Sequence, residues 1–150
     1  MRWGSGGVPC KFCDVVAGRV AAQTVLDDEA TLAFLDHRPL FPGHTLLVPK
    51  QHFESLAELP DDLLAPLLGN ARLISRAVEL ALGAEGSFVA INNRVSQSVP
   101  HVHVHIVPRR PKDGLRGFFW PRGKYRDDQH AEETAAKLRE AIARIRTGTE

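Results

Sequence analysis

The sequence predicts an α+β fold, an antiparallel sheet of about five strands with helices packed on it. Three features carry that reading. Five short apolar or β-branched runs read as strands. One long stretch, Asp61 to Leu82, repeats its apolar residues mostly at three- and four-residue steps, as a helix does. Strands and helices are mixed without regular alternation, which favours α+β packing.

In chain order, Lys11 to Ala17 reads as a short helix ended by Gly18. Thr24 to Leu26 and Thr31 to Leu35 read as two strands across the acidic turn Asp27-Asp28-Glu29. Pro39 to Gly43 is a loop, broken by Pro and Gly. Thr45 to Val48 is a buried strand. The long helix presents Leu64, Leu67, Leu68, Ala71, Ile74, Val78 and Ala81, with Pro66 removing one backbone bond. Ser87 to Ile91 and Val102 to Val107 are two more strands. A last helix, from about Gln129 to Ile145, carries the stripe Ala135, Leu138, Ile142 and Ile145.

The chain has 150 residues, 43% hydrophobic and 25% charged, which suits one globular domain with its own core. That domain is expected over 1–150: a flexible leader at 1–8, a core at about 10–110, and a loop plus C-terminal helix at 111–150. A net charge of +1 favours no partner class globally. No apolar run approaches the ~20 residues of a membrane-spanning helix, and the first eight residues lack the apolar stretch of a secretory signal. The expected compartment is therefore the cytoplasm. There the pair Cys10 and Cys13, a C-x-x-C, reads as metal-binding or redox-active.

The run His101-Val102-His103-Val104-His105-Ile106-Val107 is the most informative. In a strand, Val102, Val104 and Ile106 would enter the core, and the three histidines would share the other face, ~7 Å apart per pair. Such a row can bind a metal through neutral imidazoles. It can equally perform covalent catalysis, one imidazole attacking phosphorus while its neighbours hold the phosphate oxygens.

Residues 101–107 resemble the His-φ-His-φ-His-φ-φ signature of the histidine-triad (HIT) superfamily, φ being hydrophobic. Leu32-Ala33-Phe34-Leu35-Asp36 and the segment Phe41-Pro42-Gly43-His44 through Gln51-His52 are similar to its other signature block. Asn92-Asn93 and Gln97-Ser98-Val99 lead into the triad in the family's manner. The resemblance covers about residues 10–110. It implies a HIT-like sheet and a Hint/Fhit-like nucleotide hydrolase or transferase.

On that resemblance, His103 is the nucleophile that forms a nucleotidyl-histidine resolved by water. His105 contacts the phosphate, His44 supports the triad, and His101 orients the site. Phe12 and Phe34 hold the base, and Asp36 accepts from the ribose hydroxyls. Asn92, Asn93, Gln97, Ser98 and the backbone near Val99 bind the phosphate. Products would be AMP or GMP, from dinucleoside polyphosphates or nucleoside phosphoramidates. No catalytic cofactor is required. Some branches hold a structural zinc, for which Cys10, Cys13, His52 and His101 are the matching ligands. The family also implies a two-fold homodimer through the long helix and a sheet edge. Rival readings are a non-catalytic nucleotide- or partner-binding module with a zinc knuckle, and a metalloenzyme using the triad as ligands.

The chain departs from the family at Arg94 to Ser96, a short loop without the usual glycines, at Pro100, and at His37. Between Arg109 and Arg126, seven cations face one acid, with Phe118, Phe119 and Trp120 among them. That segment reads either as a far-phosphate and second-base site or as core closure with solvated charges. Nucleic acid binding there is the weaker reading.

Overall fold

A computed structural model describes residues 9–115 and 122–149. The chain divides between Asp113 and Gly114 into two compact units, described separately below. The first unit contains a short helix α1 (Lys11–Val16) and strands β1 (Thr24–Asp27), β2 (Thr31–Leu35) and β3 (Thr45–Pro49). A single 3-10 turn, Leu56–Glu58, leads into the long helix α2 (Asp61–Leu82). Strands β4 (Gly86–Ile91) and β5 (Val104–Arg109) follow. The five strands form one sheet in the order β1-β2-β3-β5-β4, antiparallel throughout. The expected α+β class and strand number are both present.

Side-chain alternation gives this sheet two different faces. Ala33, Leu47, Val104 and Ile106 pack with Leu67, Ala71, Ile74 and Val78 of α2. Leu32, Phe34, Leu46 and Val48, one residue out of step, pack with Cys10, Phe12, Cys13 and Val15 around α1. The α2 stripe is narrower than its sequence suggests. Leu68 is 53% exposed and Ala81 is exposed, because Leu68 is turned ~100° from Leu67 and points off the sheet.

The β1–β2 turn is tied to α2 by side chains. Asp28 Oδ1 accepts from the Ala30 and Thr31 amides, while Asn70 of α2 donates to Asp28 Oδ2 at 2.7 Å and Thr31 Oγ1 at 2.8 Å. Gly83, at φ 66, ends α2 in the left-handed conformation open to glycine. The Arg110 guanidinium donates to the Leu82 carbonyl beside it.

Strand β5 begins at Val104, two residues later than the sequence suggests. The register of β3 would set Val102 opposite Pro49, which has no N–H to continue the ladder. The Val102 amide instead donates to the Phe53 carbonyl at 2.7 Å, and the His101 amide donates to the Val99 carbonyl at 2.8 Å.

The second unit contains helix α3 (Asp128–Thr147). Asp127 caps it by accepting from the His130 amide at 2.7 Å. Its stripe residues Leu138, Ile142 and Ile145 are all exposed. Phe118, Phe119, Trp120 and Arg116, like the leader at 1–8, lie outside the described residues. Among the described residues no helix is long and apolar enough to cross a membrane.

Candidate functional site

His103 and His105 project from the α1 side of the sheet, since His105 pairs with Leu46 while Val104 faces α2. Their ring centroids are 4.9 Å apart. His44, just before β3, lies against His105 with centroids 5.2 Å apart. His44, just ahead of β3, and His103 and His105, at the start of β5, therefore share one patch.

Backbone groups fix which nitrogens carry protons. His103 Nδ1 lies 2.7 Å from the His101 carbonyl oxygen, so Nδ1–H donates and Nε2 keeps its lone pair. The Leu40 amide donates to His44 Nδ1 at 3.1 Å. His44 must then carry its proton on Nε2, which donates to His105 Nδ1 at 2.9 Å. His105 in turn carries its proton on Nε2 and can donate outward. The row is thus one lone pair beside one N–H donor.

All three rings stay neutral near pH 7. Burial lowers His105 to about 4, with His103 and His44 adding to the shift and Asp36 opposing it. Burial also lowers His44, Asp36 opposing and His103 adding. His103 is lowered by burial against the pull of the His101 carbonyl and Asp36. A neutral imidazole is the nucleophilic form.

Asp36 borders this patch. Its Oδ1 accepts from the Arg38 amide at 2.9 Å, and its Oδ2 lies 3.8 Å from His44 Nε2. Asp36, His44 and His105 have donor atoms close enough to suggest a metal site. The tautomers argue otherwise: His44 Nδ1 accepts the Leu40 N–H, so its Nε2 bears a proton where a metal would need a lone pair. The Leu40 amide, His44 and His105 form a hydrogen-bond relay, with the Asp36 carboxylate beside it.

Phe12 and Phe34 are buried and meet edge to face at 5.5 Å. Phe12 also sets its ring against His103 at 4.9 Å and 86°. The loop from Asn92 to Val99 joins β4 to the triad. Asn92 and Ser98 are exposed, and Val99 packs against the α1 cluster. Asn93 Oδ1 accepts from the Leu56 amide at 2.8 Å. Gln97 is engaged at both ends, accepting from the Arg94 amide and donating to the Glu54 carbonyl. Asn93 and Gln97 therefore clamp the loop to the 54–56 segment. Arg94 and Ser96 take left-handed φ values of 67° and 59°, the conformation that glycine would adopt freely.

The other cluster is Cys10, Cys13, His52 and His101, whose ligand atoms all lie within 4.8 Å of one another. His101 Nδ1 is 3.5 Å from each sulfur and 3.2 Å from His52 Nδ1, and Cys13 Sγ is 3.3 Å from His52 Nδ1. Tetrahedral zinc bonds imply N···N edges of about 3.3 Å and N···S edges of about 3.6 Å, so the spacing fits. The tautomer fits too: His101 Nε2–H donates to the Pro49 carbonyl at 2.8 Å, turning the Nδ1 lone pair toward the sulfurs. Without a cation, burial first and then Cys10 push the Cys13 thiol up to about 12. A bound cation would favour the thiolate instead. These four residues can hold a metal in a closed site.

The HIT-domain family model matches residues 17–112, which include both signature blocks and the triad. The chain belongs to the HIT family. An uncharacterised HIT-like protein of Mycobacterium tuberculosis is 37% identical over 141 residues, covering 91% of this chain and 94% of its own. The adenosine 5'-monophosphoramidase of Candida albicans is 30% identical over 142 residues, covering 91% and 93%. A crystal structure of a zinc-bound histidine-triad family protein from Mycobacterium smegmatis superimposes with a TM-score of 0.68 at 35% identity, over 93% of this chain and 96% of that one.

Two contributors to this HIT site escape sequence reasoning. Leu40 and Pro49 act through main-chain atoms, which no side-chain pattern reveals. Phe12 was expected at the base, and its edge contact with His103 depends on a fold that brings residues 91 positions apart together. Arg109 and Arg110 of the basic segment are held by Asp113, Arg109 with two bonds of 2.6 and 3.1 Å.

Proposed function

We propose that the chain is a nucleotide hydrolase or nucleotidyl transferase acting at an α-phosphate through a nucleotidyl-histidine on His103. The observation that carries this is the 2.7 Å contact between His103 Nδ1 and the His101 carbonyl, which commits one nitrogen and leaves Nε2 as the nucleophile. The phosphoramidase activity named for the Candida relative supports the same chemistry.

In the first step His103 Nε2 forms a bond to phosphorus while the bond to the leaving group breaks, its electron pair departing with that group, which takes up a proton from solvent. His105 Nε2–H stabilises the phosphate oxygens as charge develops. Water then attacks phosphorus, a proton leaves to solvent, and the P–N bond breaks with its electron pair returning to Nε2. The released product is a nucleoside monophosphate such as AMP or GMP. Asp36 accepts from the ribose hydroxyls, an ionised carboxylate being acceptor-only. Phe34 lies by the base. Asn92, Ser98 and the amides near Val99 receive the phosphate, on a loop that Asn93 and Gln97 hold.

Cys10, Cys13, His52 and His101 would hold zinc, which supplies a structural cross-link with no open position for catalysis. The thiols suit a reducing compartment, the cytoplasm. The edge position of β4, whose Val89 is half-exposed, and the exposed Leu68, Leu73 and Leu80 of α2 support a homodimer.

Turnover of dinucleoside polyphosphates and nucleoside phosphoramidates, with products read by mass, tests the reading. His103→Ala should lower turnover by roughly three orders of magnitude or more while still binding nucleotide. Unchanged turnover in that variant would remove the proposal. A wild type that binds nucleotide but turns nothing over would point to a binding module.

A further inference from the structure

Phe12 lies between Cys10 and Cys13 in the sequence, and its ring meets the nucleophile. Phe12 and His103 contact at 4.9 Å and 86°, with Phe34 bracing Phe12 at 5.5 Å and 69°. The start of α1 is set by the first cysteine: the Cys13 amide donates to Cys10 Sγ at 3.4 Å, and the Asp14 amide to the Cys10 carbonyl at 3.0 Å. The position of the Phe12 ring therefore follows the positions of the two sulfurs. From its other side, His103 is held by the carbonyl of His101, whose own Nδ1 faces both sulfurs. Two of the groups that hold the nucleophile are thus anchored in one four-donor cluster.

We propose that Phe12 is a positioning residue for His103, and that a metal ion in the Cys10–Cys13–His52–His101 cluster keeps it in place. An edge-to-face contact restrains a ring's plane. If the His103 ring turns, Nδ1 leaves the His101 carbonyl and Nε2 leaves the line of attack. Small misplacements of a reacting atom slow a reaction steeply. Base binding by Phe12 needs a nucleotide, whereas the contact with His103 exists in the free protein. The proposal rests on His103 being the nucleophile, yet its first readout needs no turnover.

The test uses the full-length, zinc-loaded protein without nucleotide, its histidine rings observed by long-range proton–nitrogen NMR. Wild type should show His103 as one tautomer with the proton on Nδ1. Zinc-loaded Phe12→Leu, with native circular dichroism, should show a mixture at His103 while His44 and His105 are unmoved. Its single-turnover nucleotidylation should slow by about tenfold or more with KM unchanged. Withdrawing zinc from wild type with a chelator should give the same His103 mixture, reversed by adding zinc ion. Phe12→Met replaces Phe12→Leu if the latter fails to fold. Unchanged His103 signals in the zinc-loaded variant, or a rise in KM alone, overturn the positioning role. His103 signals indifferent to zinc overturn the link to the ion. Ring signals that respond as expected in a protein without nucleotidylation uphold positioning while sinking the enzymatic reading.

Discussion

His44, just ahead of β3, and His105 of β5 share one proton of fixed direction, from His44 Nε2 to His105 Nδ1 across 2.9 Å. The direction is set upstream by the Leu40 amide, a donor that cannot reverse. Replacing His44 with Gln should free His105 to change tautomer. We expect kcat to fall by roughly 10- to 100-fold with nucleotide affinity little changed. Steady-state kinetics beside a nucleotide-binding titration checks this. Equal losses in affinity and rate would mean that His44 serves binding instead.

Acid should weaken the fold through His105. Its ordinary value is 6.5, and burial chiefly lowers it to about 4 in the folded chain. Between those values the unfolded chain binds the proton and the folded chain refuses it. Stability from this group is therefore complete above pH 6.5 and declines as pH falls toward 4, by up to about 3 kcal/mol. Urea midpoints at pH 7.5 and 5 should differ accordingly, and His105→Gln should reduce the difference, leaving the part that His44 and His103 contribute.

Arg94 sits at φ 67 within the loop that leads to the triad. A side chain there costs about 1–2 kcal/mol of local strain, partly offset in a glycine variant by greater unfolded-state freedom. Its ion pair with Glu58, at 3.4 Å, is largely exposed and contributes little. Arg94→Gly should therefore stabilise by roughly 0.5–1 kcal/mol, raising Tm by a few degrees. A lower Tm would show that the guanidinium does more for the fold than relief of strain returns.

Protein purified without chelator or added metal should carry close to one zinc per chain. Cys10→Ser should lose it and melt lower, since metal binding adds directly to folding stability. Full zinc occupancy in that variant would place the ion elsewhere.

Much of this was legible in the residues themselves. Alternation through Val102, Val104 and Ile106 identified the α2-facing side of the last strand, and α2 spans Asp61 to Leu82 as its periodicity indicates. The spacing of Cys10, Cys13, His52 and His101 acquired meaning only through the family pattern, because short-range spacing cannot bring together residues so far apart. What stayed hidden was main-chain chemistry. The carbonyls of His101 and Pro49 and the amide of Leu40 set the tautomers of His103, His101 and His44, and each is invisible to a reading of side-chain types. Gln97 was expected to touch phosphate, but a side-chain amide satisfies whichever backbone groups the fold presents, here Arg94 and Glu54.

The order of the sheet also governs when the histidine patch can assemble during synthesis of the chain. β5 slots between β3, which precedes all of α2, and β4, which follows α2 and comes just before β5 in the chain. A nascent chain emerging as far as β4 has neither the strand that bears the imidazoles nor a filled gap at the middle of the sheet. The sheet is therefore completed by the same segment that brings His103 and His105 to His44.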